Sequence, residues 1–232
     1  MRVCIIIPVY NEGSVILKTI KSIQNELQQI EHLIVVVDDG SADNTDTQAR
    51  KAKGVIVINH LMNMGAGAAT RTGLRYAKNN SFDFVVTADA DGQHLPMDIK
   101  KVLKSCMNKD ADMVIGSRLI NIAKGMPWYR RLGNKGLNYV TALIFGINVT
   151  DSQSGLKAIN KKAINLLTFD SNRFAFSSEM IWRAKRCNLR ISEVPIQAVY
   201  TQYSLTKGQS NWGAIDIIRQ LIKRRLIRLI NG

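Results

Sequence analysis

Short apolar runs alternate with amphipathic stretches through the first half of the chain. Four runs are apolar and rich in β-branched residues, as strands buried on both faces of a sheet should be; they span residues 3–9, 34–37, 55–58 and 82–88. The stretches between them, residues 12–27, 43–53 and 66–78, are predicted to form helices from their apolar spacing and polar capping residues. This alternation predicts an α/β fold with a mostly parallel central sheet and flanking helices.

The second half follows the pattern less regularly. It predicts helices over residues 97–106, 128–145 and 177–187 and strands over 113–115, 156–159 and 191–199. Residues 137–149 are apolar but contain Asn138 and Gly146, which favours a buried helix, with an interfacial helix as the alternative, over a membrane span. We interpret residues 1–211 as one domain.

The tail, residues 212–232, is predicted to be a basic amphipathic C-terminal helix. Its apolar residues recur at helical spacing, and the opposite positions are cationic: Arg219, Lys223, Arg224, Arg225 and Arg228. Such a helix can lie on an anionic membrane surface. The alternative is a terminal helix that docks on the domain with its charges in water.

The net charge and the cysteine content limit the kinds of partner and the cellular compartment that the protein could have. The 232 residues carry a formal net charge of +14, which implies an anionic partner such as nucleic acid, an acidic membrane face or a phosphorylated substrate. A nucleic-acid module would need exposed aromatic residues along a basic stripe, but the tail offers only Trp212, so no nucleic acid is expected. Three cysteines without C-x-x-C spacing favour neither disulfides nor zinc and fit a reducing cytoplasm.

Polar residues cluster after three of the predicted strands, in residues 8–12, 38–41 and 89–91. In open α/β sheets, ligands bind beyond the carboxyl ends of the strands, so one pocket could collect all three clusters. Asp89 and Asp91 are two residues apart, before Gly92, and could share one Mg²⁺ or Mn²⁺. The alternative is an ordinary Asp-Gly turn.

A glycine-containing segment, residues 63–69, has neither G-x-G-x-x-G spacing nor a following Gly-Lys-Ser/Thr. A hydride carrier and a P-loop nucleotidase are therefore disfavoured. We interpret the segment as a helix start whose small residues permit close packing or the close approach of a ligand.

Six short segments in a fixed order carry a family resemblance over about residues 3–200. They are Pro8-Val-Tyr-Asn-Glu12, Asp38-Asp-Gly-Ser41, Asn63-x-Gly-x-Gly67, Asp89-Ala-Asp-Gly-Gln-His94, Gly116-Ser-Arg118 and Asp151-Ser-Gln-Ser-Gly155. Together they resemble family 2 glycosyltransferases of the Rossmann-like GT-A fold, in the branch of dolichyl-phosphate mannose synthase and its polyprenyl-phosphate relatives. The resemblance implies inverting transfer of a hexose from a GDP- or UDP-sugar.

The resemblance also implies roles for particular residues. The nucleotide sugar would be held by Pro8, Tyr10, Glu12, Asp39, Gly67 and Asp89. The metal ligands would be Asp89, Asp91 and Gln93, and the phosphate groups would meet Arg118 and Arg131, whose guanidinium forks suit them. Many relatives have an Arg downstream of the Glu193-Val-Pro195 strand. This chain has Lys207 in that region, which would bind the acceptor phosphate in its place, although the point charge of a lysine is not equivalent to a guanidinium fork.

The acceptor decides whether a catalytic base is needed. A lipid phosphate, with a second pKa near roughly 6, is already nucleophilic at neutral pH. A glycan hydroxyl would need a carboxylate, for which Asp151 and Glu179 are the candidates, beside Arg118 as a further catalytic residue. His94 is expected to support the metal ligands or to stabilise the turn rather than to bind the metal itself, and His32 and His60 have no predicted role.

The sequence therefore predicts a metal-dependent glycosyltransferase in the cytoplasm, peripheral at the inner face of the cell membrane. Its acceptor would be a polyprenyl phosphate or, alternatively, a hydroxyl of a cell-surface glycan precursor. A sugar nucleotidyltransferase is a more distant alternative, because residues 8–13 are acidic where a basic triphosphate loop would be expected. Self-association into a homo-oligomer stays open.

Overall fold

The computed structural model describes residues 1–108, 111–121, 126–173 and 175–200. The strands in this part are β1 (Val3–Val9), β2 (His32–Asp38), β3 (Val55–Asn59), β4 (Phe84–Thr87), β5 (Met113–Ser117), β6 (Lys157–Asn160) and β7 (Ile191–Pro195). The helices are α1 (Ile16–Glu26), α2 (Thr45–Arg50), α3 (Ala66–Asn79), α4 (Pro96–Asn108), α5 (Trp128–Phe145), α6 (Lys161–Leu166) and α7 (Phe176–Arg186).

The strands form one sheet in the order β3-β2-β1-β4-β6-β5-β7. Strand β6 runs antiparallel to β4 and β5, and the other neighbouring pairs are parallel. Strand β1 sits centrally, with Ile5 opposite Ile34 of β2 and Val86 of β4. The predicted α/β fold with a mostly parallel sheet is therefore confirmed.

Two apolar cores cover the two faces of the sheet. Helices α1, α2 and α4 contribute to one core, where Ile20, Ile23 and Leu103 pack with Ile5 and Val36. Helices α3, α6 and α7 contribute to the other core on the opposite face. Because β1 and β2 are buried on both sides, nearly every position in them must be apolar. The sheet is thus a rigid layer that holds its carboxyl edge in place.

Several boundaries differ from the predicted ones for local reasons. Helix α1 begins at Ile16 rather than residue 12, because the carbonyl of Glu12 accepts bonds from the N–H groups of Val15 and Ile16 in a turn. Strand β7 ends at Pro195, since Val199 donates to the carbonyl of Gln93 instead of continuing the ladder. Helix α6 was not predicted; the Asn160 side chain caps it by accepting from Ala163.

Helix α5 spans the predicted residues. The burial favoured for residues 137–149 holds on one side of the helix only: Leu137 and Thr141 are buried, whereas Tyr139 is 70% exposed and Leu143 68% exposed. The helix packs on the domain through one side only. No helix in the described ranges is long and apolar enough to cross a membrane. Lys207 and the predicted tail helix of residues 212–232 lie outside the described residues.

Candidate active site

A pocket of about 310 Å³ opens beyond the carboxyl ends of β1 and β2, and we call it the strand-end pocket. It is lined by Pro8, Val9, Tyr10, Asp39, Asn63, Gly65, Ala66, Ala69 and Arg173. Three of the predicted donor-binding residues, Pro8, Tyr10 and Asp39, therefore meet in one place. Asn63 and Arg173 supply further polar groups, and Arg173 was not among the predicted residues.

Asp39 is 2% exposed and its carboxylate is held by several donors. Its Oδ2 accepts the Gly65 N–H at 2.6 Å, and its Oδ1 accepts the Met64 N–H at 3.0 Å. His60 Nδ1 lies 2.7 Å from the same Oδ1, while His60 Nε2 lies 2.9 Å from Thr72 Oγ1 on α3. His60, for which the sequence indicated no role, thus fixes the orientation of a predicted binding carboxylate.

The loops after β1 and β2 are tied to each other. The Asn11 N–H donates to Ser41 Oγ at 2.8 Å, the Glu12 N–H donates to Thr45 Oγ1 at 2.8 Å, and the Gly13 N–H donates to the Asp43 carboxylate. Asn11 has a φ of 55°, in the left-handed region that Asn tolerates better than most residues. These bonds fix Glu12 beside the pocket, although Glu12 is not one of the lining residues.

Gly67 and Glu179 meet the same loop, residues 170–172. The Gly67 N–H donates to the Asn172 carbonyl at 2.7 Å, and a β-carbon on Gly67 would lie 2.2 Å from the Ser171 carbonyl oxygen. The Glu179 carboxylate, on a residue only 1% exposed, accepts the Ser171 N–H at 2.9 Å. Gly67 is therefore small so that this loop can pack, and Glu179 supports the loop from behind.

Asp89 and Asp91 follow β4 at the middle of the same sheet edge. The Asp89 carboxylate packs so closely on Gly155 that a β-carbon there would lie 2.4 Å from Asp89 Oδ1. Asp91 Oδ1 accepts the Gln93 N–H at 3.0 Å. Burial raises the pKa of Asp91 to about 7, and the negative charges of Asp89 and Glu12 contribute. Two carboxylates that repel each other in this way fit a site for a divalent cation, whose charge would relieve the repulsion.

The rest of the donor set is sparse. In the described ranges, no three His, Cys, Asp or Glu residues form a group that could hold a metal ion. Asp89 and Asp91, with the buried Gln93 close by, would leave positions for water or phosphate oxygens, as Mg²⁺ sites commonly do. The predicted donors of this site are therefore oxygen atoms, which suit Mg²⁺ or Mn²⁺.

His94 braces the Asp89 turn. Its Nδ1 accepts the Asp89 N–H at 3.1 Å, and its Nε2 lies 3.6 Å from Asp89 Oδ2. Burial lowers the pKa of His94, although the nearby Asp89 charge opposes this. A neutral ring that accepts at Nδ1 carries its proton on Nε2, which faces the Asp89 carboxylate.

Arg118, which follows β5, and Asp151, which precedes β6, form a two-pronged ion pair that we call the Arg118 side of the site. Arg118 Nε donates to Asp151 Oδ2 at 2.7 Å, and Nη2 donates to Oδ1 at 2.8 Å. Asp151 is fully buried; burial would raise its pKa, but the Arg118 charge prevails and lowers it. Burial would likewise lower the pKa of Arg118, yet Asp151 holds it above its usual value. Asp151 is thus an ionised partner of Arg118 and poorly suited to accept a proton.

Two further residues organise this side and were not predicted from the sequence. Lys157 is 1% exposed, and its ammonium donates to the Ser154 carbonyl and to Ser177 Oγ. Burial lowers its pKa to about 8. Glu193 accepts the Thr150 N–H at 2.9 Å and so fixes the residue before Asp151. A lysine within the apolar strand of residues 156–159 was the available sequence signal.

Arg131 does not join the buried Arg118 pair. It lies in the first turns of α5, and its side chain is on an exposed residue. The structure therefore separates the predicted phosphate residues into one buried and one surface position, with Lys207 outside the described ranges.

The sheet order and the position of the site at its carboxyl edge define an α/β protein of the GT-A glycosyltransferase fold. The family described as glycosyl transferase family 2 matches residues 4–167, and the chain belongs to that family.

Similar sequences and solved structures agree with this family and fold. The chain is 38% identical to UDP-N-acetylglucosamine--dolichyl-phosphate N-acetylglucosaminyltransferase of Methanococcus voltae, covering 98% of this chain and 97% of the relative. It is 32% identical to undecaprenyl-phosphate mannosyltransferase of Micrococcus luteus, covering 89% and 87%. Glucosyl-3-phosphoglycerate synthase from Mycobacterium tuberculosis, in complex with Mn²⁺, UDP and phosphoglyceric acid, superposes with a TM-score of 0.71 at 19% identity, covering 96% and 78%. The last likeness shows the fold, which confirms the predicted GT-A class.

Proposed function

We propose that this protein transfers a hexose from a nucleotide-diphosphate sugar to a polyprenyl phosphate, with inversion at the anomeric carbon. The observation that carries the proposal is the order of groups along the sheet edge. In the sheet, β4, which precedes Asp91, lies between β1, which precedes Glu12, and β5, which precedes Arg118. A donor diphosphate over Asp91 would therefore face an acceptor phosphate at Arg118. The names of the two relatives, a dolichyl-phosphate and an undecaprenyl-phosphate transferase, support this acceptor class.

The nucleoside would occupy the strand-end pocket. A carboxylate offers about four lone-pair positions, and Asp39 uses three of them for Met64, Gly65 and His60. One position is left for an N–H group of the base. Tyr10 and Pro8 would provide apolar contact, Glu12 would serve the ribose side, and Gly67 would contribute indirectly through α3.

The diphosphate would lie at Asp89, Asp91 and Gln93 with Mg²⁺ or Mn²⁺. A divalent cation there would neutralise the charge that develops on the departing nucleoside diphosphate. Asp89, being half-exposed and placed against Gly155, is the carboxylate nearer to the sugar. His94 and Gly155 position it.

Arg118 would bind the acceptor phosphate. Its Nε and Nη2 donate to Asp151, and the Tyr200 hydroxyl also lies near the guanidinium, so a phosphate oxygen would meet the N–H groups that these two residues leave. An oxygen of that phosphate forms a bond to the anomeric carbon while the bond from this carbon to the diphosphate breaks. No base is needed, because the phosphate is already ionised at neutral pH. We assign Asp151 and Glu179 to positioning, and Arg131 and Lys207 to the approach of the lipid phosphate.

We place the enzyme in the cytoplasm, peripheral at the inner membrane face, because a polyprenyl acceptor is held in a bilayer. The tail of residues 212–232 remains the predicted amphipathic helix of this arrangement.

The test begins with binding. Calorimetric titration of UDP and GDP, with and without Mn²⁺, is expected to show metal-dependent binding to the native protein. Asp91→Asn is expected to lose this dependence and to reduce transfer by about a thousandfold, because several kcal/mol of charge stabilisation are lost. Asp46→Asn, which changes an exposed carboxylate paired with Arg50, is the matched control and should behave like the native protein.

The acceptor is tested separately. Radiolabelled UDP- and GDP-sugars are incubated with polyprenyl phosphate in detergent, and the label is followed into the organic phase. Label in the organic phase, released by mild acid, supports the proposal. Label transferred only to a glycan hydroxyl, or no nucleotide binding under any metal condition, would overturn it.

A further inference from the structure

One side of α5 carries large apolar side chains in water. Trp128 is 76% exposed, Leu132 64%, Tyr139 70% and Leu143 68%. At about 100° per residue, these four positions fall within an arc of roughly 60° of the helix. We call them the α5 stripe. Single exposed apolar residues are normal on protein surfaces, but four in one line on one helix form a contiguous surface.

The opposite side of α5 is anchored to the domain, so the orientation of the stripe is fixed. Leu137 packs with Ala175, and Thr141 Oγ1 lies 3.3 Å from Ser178 Oγ. Phe145 stacks on Trp182 with 5.5 Å between the ring centroids. By contrast, β-carbons added to Gly133 or Gly136 would meet no atom within 4 Å. The stripe is therefore the outer surface of a helix held firmly from within.

The charges on α5 all have one sign. Its 18 residues include Arg130, Arg131 and Lys135 but no Asp or Glu. Arg131 and Lys135 are exposed and flank the stripe. Aromatic rings and leucines bordered by cations fit the interface of an anionic bilayer, where apolar groups enter the acyl boundary and cations meet phosphate head groups. The net charge of +14 disfavours a second copy of this chain as the occupant, because two such surfaces would repel each other.

The stripe is also joined to the site. Asn138, on the inner side of α5, accepts the Ser152 N–H at 2.9 Å and donates to the Thr150 carbonyl. These residues flank Asp151, which holds Arg118. A surface that rests on α5 is thus rigidly connected to the loop behind the acceptor-binding arginine.

We propose that the α5 stripe is the docking surface of this protein for an anionic lipid bilayer, and that it brings the bilayer to the Arg118 side of the site. The functional reason for docking rests on the proposed lipid-phosphate acceptor. The docking itself is inferred from the exposed side chains of the stripe. Docking through α5 does not require the tail of residues 212–232.

The test uses the full chain and sedimentation with vesicles of equal parts phosphatidylcholine and phosphatidylglycerol. Leu132→Glu with Leu143→Glu is expected to weaken vesicle binding by at least about tenfold, because two apolar groups are replaced by charges that anionic lipids repel. The control is Leu166→Glu, which changes another exposed leucine, 44% exposed, at the end of α6. Strand β6 runs antiparallel, so α6 begins at the opposite edge of the sheet. This control should bind vesicles like the native protein.

Depth of insertion gives a second measurement. Brominated lipids should quench tryptophan fluorescence in the native protein and quench it less in Trp128→Phe, which removes the stripe's only indole. Deletion of residues 212–232 should leave the Trp128 quenching in place. Equal vesicle binding by the native protein and the Leu132/Leu143 variant, or loss of binding only on deletion of the tail, would overturn the proposal.

The two proposals fail in different ways. If the stripe does not dock, nucleotide binding and transfer to a short, water-soluble polyprenyl phosphate should persist while the Leu132/Leu143 variant shows no vesicle defect. If the proposed function is wrong, that variant should still lose vesicle binding, but no donor sugar would reach the lipid phosphate in the native protein.

Discussion

The strand-end pocket and the Arg118 side of the site hold their charges in different ways. In the pocket, Asp39 is stabilised by the backbone N–H groups of Met64 and Gly65 and by His60. On the Arg118 side, Asp151 is stabilised by a full countercharge, and Lys157 is buried with only hydroxyl and carbonyl partners. Removing one group from the pocket leaves a dipole without a partner, whereas removing one from the Arg118 side leaves a buried charge. Substitutions on the Arg118 side should therefore lower both activity and stability, whereas substitutions in the pocket should have a smaller effect on stability.

The largest stability effect is expected from Asp151→Ala. It leaves the Arg118 guanidinium buried without its countercharge, which should lower the free energy of unfolding by about 3 to 5 kcal/mol. Urea unfolding followed by circular dichroism measures this. Glu26→Ala, which breaks the surface pair between Glu26 and Lys100, should cost at most about 1 kcal/mol. Equal losses in the two variants would remove the contrast between buried and surface charge.

Glu179→Gln distinguishes a positioning carboxylate from a catalytic base. The amide keeps one oxygen to accept the N–H groups of Asp170 and Ser171, so kcat should change little, while stability should fall by about 1 to 2 kcal/mol. Steady-state kinetics and thermal unfolding on the same samples measure both. A fall in kcat of about a hundredfold or more with unchanged stability would instead indicate a base.

The buried Lys157 predicts that the stability of the folded chain depends on pH. Burial lowers its pKa from 10.5 to about 8 in the folded chain, so between these values the unfolded chain binds more protons than the folded one. Stability should then rise with pH across this window, by about 1 to 3 kcal/mol. The free energy of unfolding of the native protein and of Lys157→Met is measured from pH 8 to pH 10. The difference between the two isolates the contribution of Lys157. A difference that stays constant across the window would show that Lys157 titrates normally.

His60→Ala should have the smallest effect and should act on the pocket alone. Asp39 loses one of three donors, so nucleotide affinity should fall by about three- to tenfold and stability by about 1 kcal/mol. Calorimetry with UDP and GDP measures the affinity. His32→Ala is the control, because the His32 ring lies 2.7 Å from the Ile30 carbonyl, at the start of β2, away from the pocket. A similar loss of affinity in both variants would refute the assigned role of His60.

Much of the fold could be predicted because the sheet is buried on both faces. Strands such as β1 and β2 must be almost wholly apolar, and this leaves a clear signal in the sequence. The antiparallel β6 and the short helix α6 could not be predicted, since the direction of a strand depends on its neighbours and not on its own residues. The sequence left a buried and an interfacial helix open for residues 137–149, because an apolar helix has the same pattern whether protein or another surface covers it.

The chain of residues by itself determined that polar clusters follow the strands, that Asp89 and Asp91 form a pair, and that the family is glycosyl transferase family 2. The reason is that strand ends, turns and short-range carboxylate pairs are local features. Only the tertiary structure decided which distant residues share a charge or a hydrogen bond: Asp151 with Arg118, Glu179 with the Ser171 loop, and His60 with Asp39. Those partners are 33, 8 and 21 residues apart, and which donor fills which lone pair is settled by packing, because a buried polar group must find whatever partner the fold brings to it.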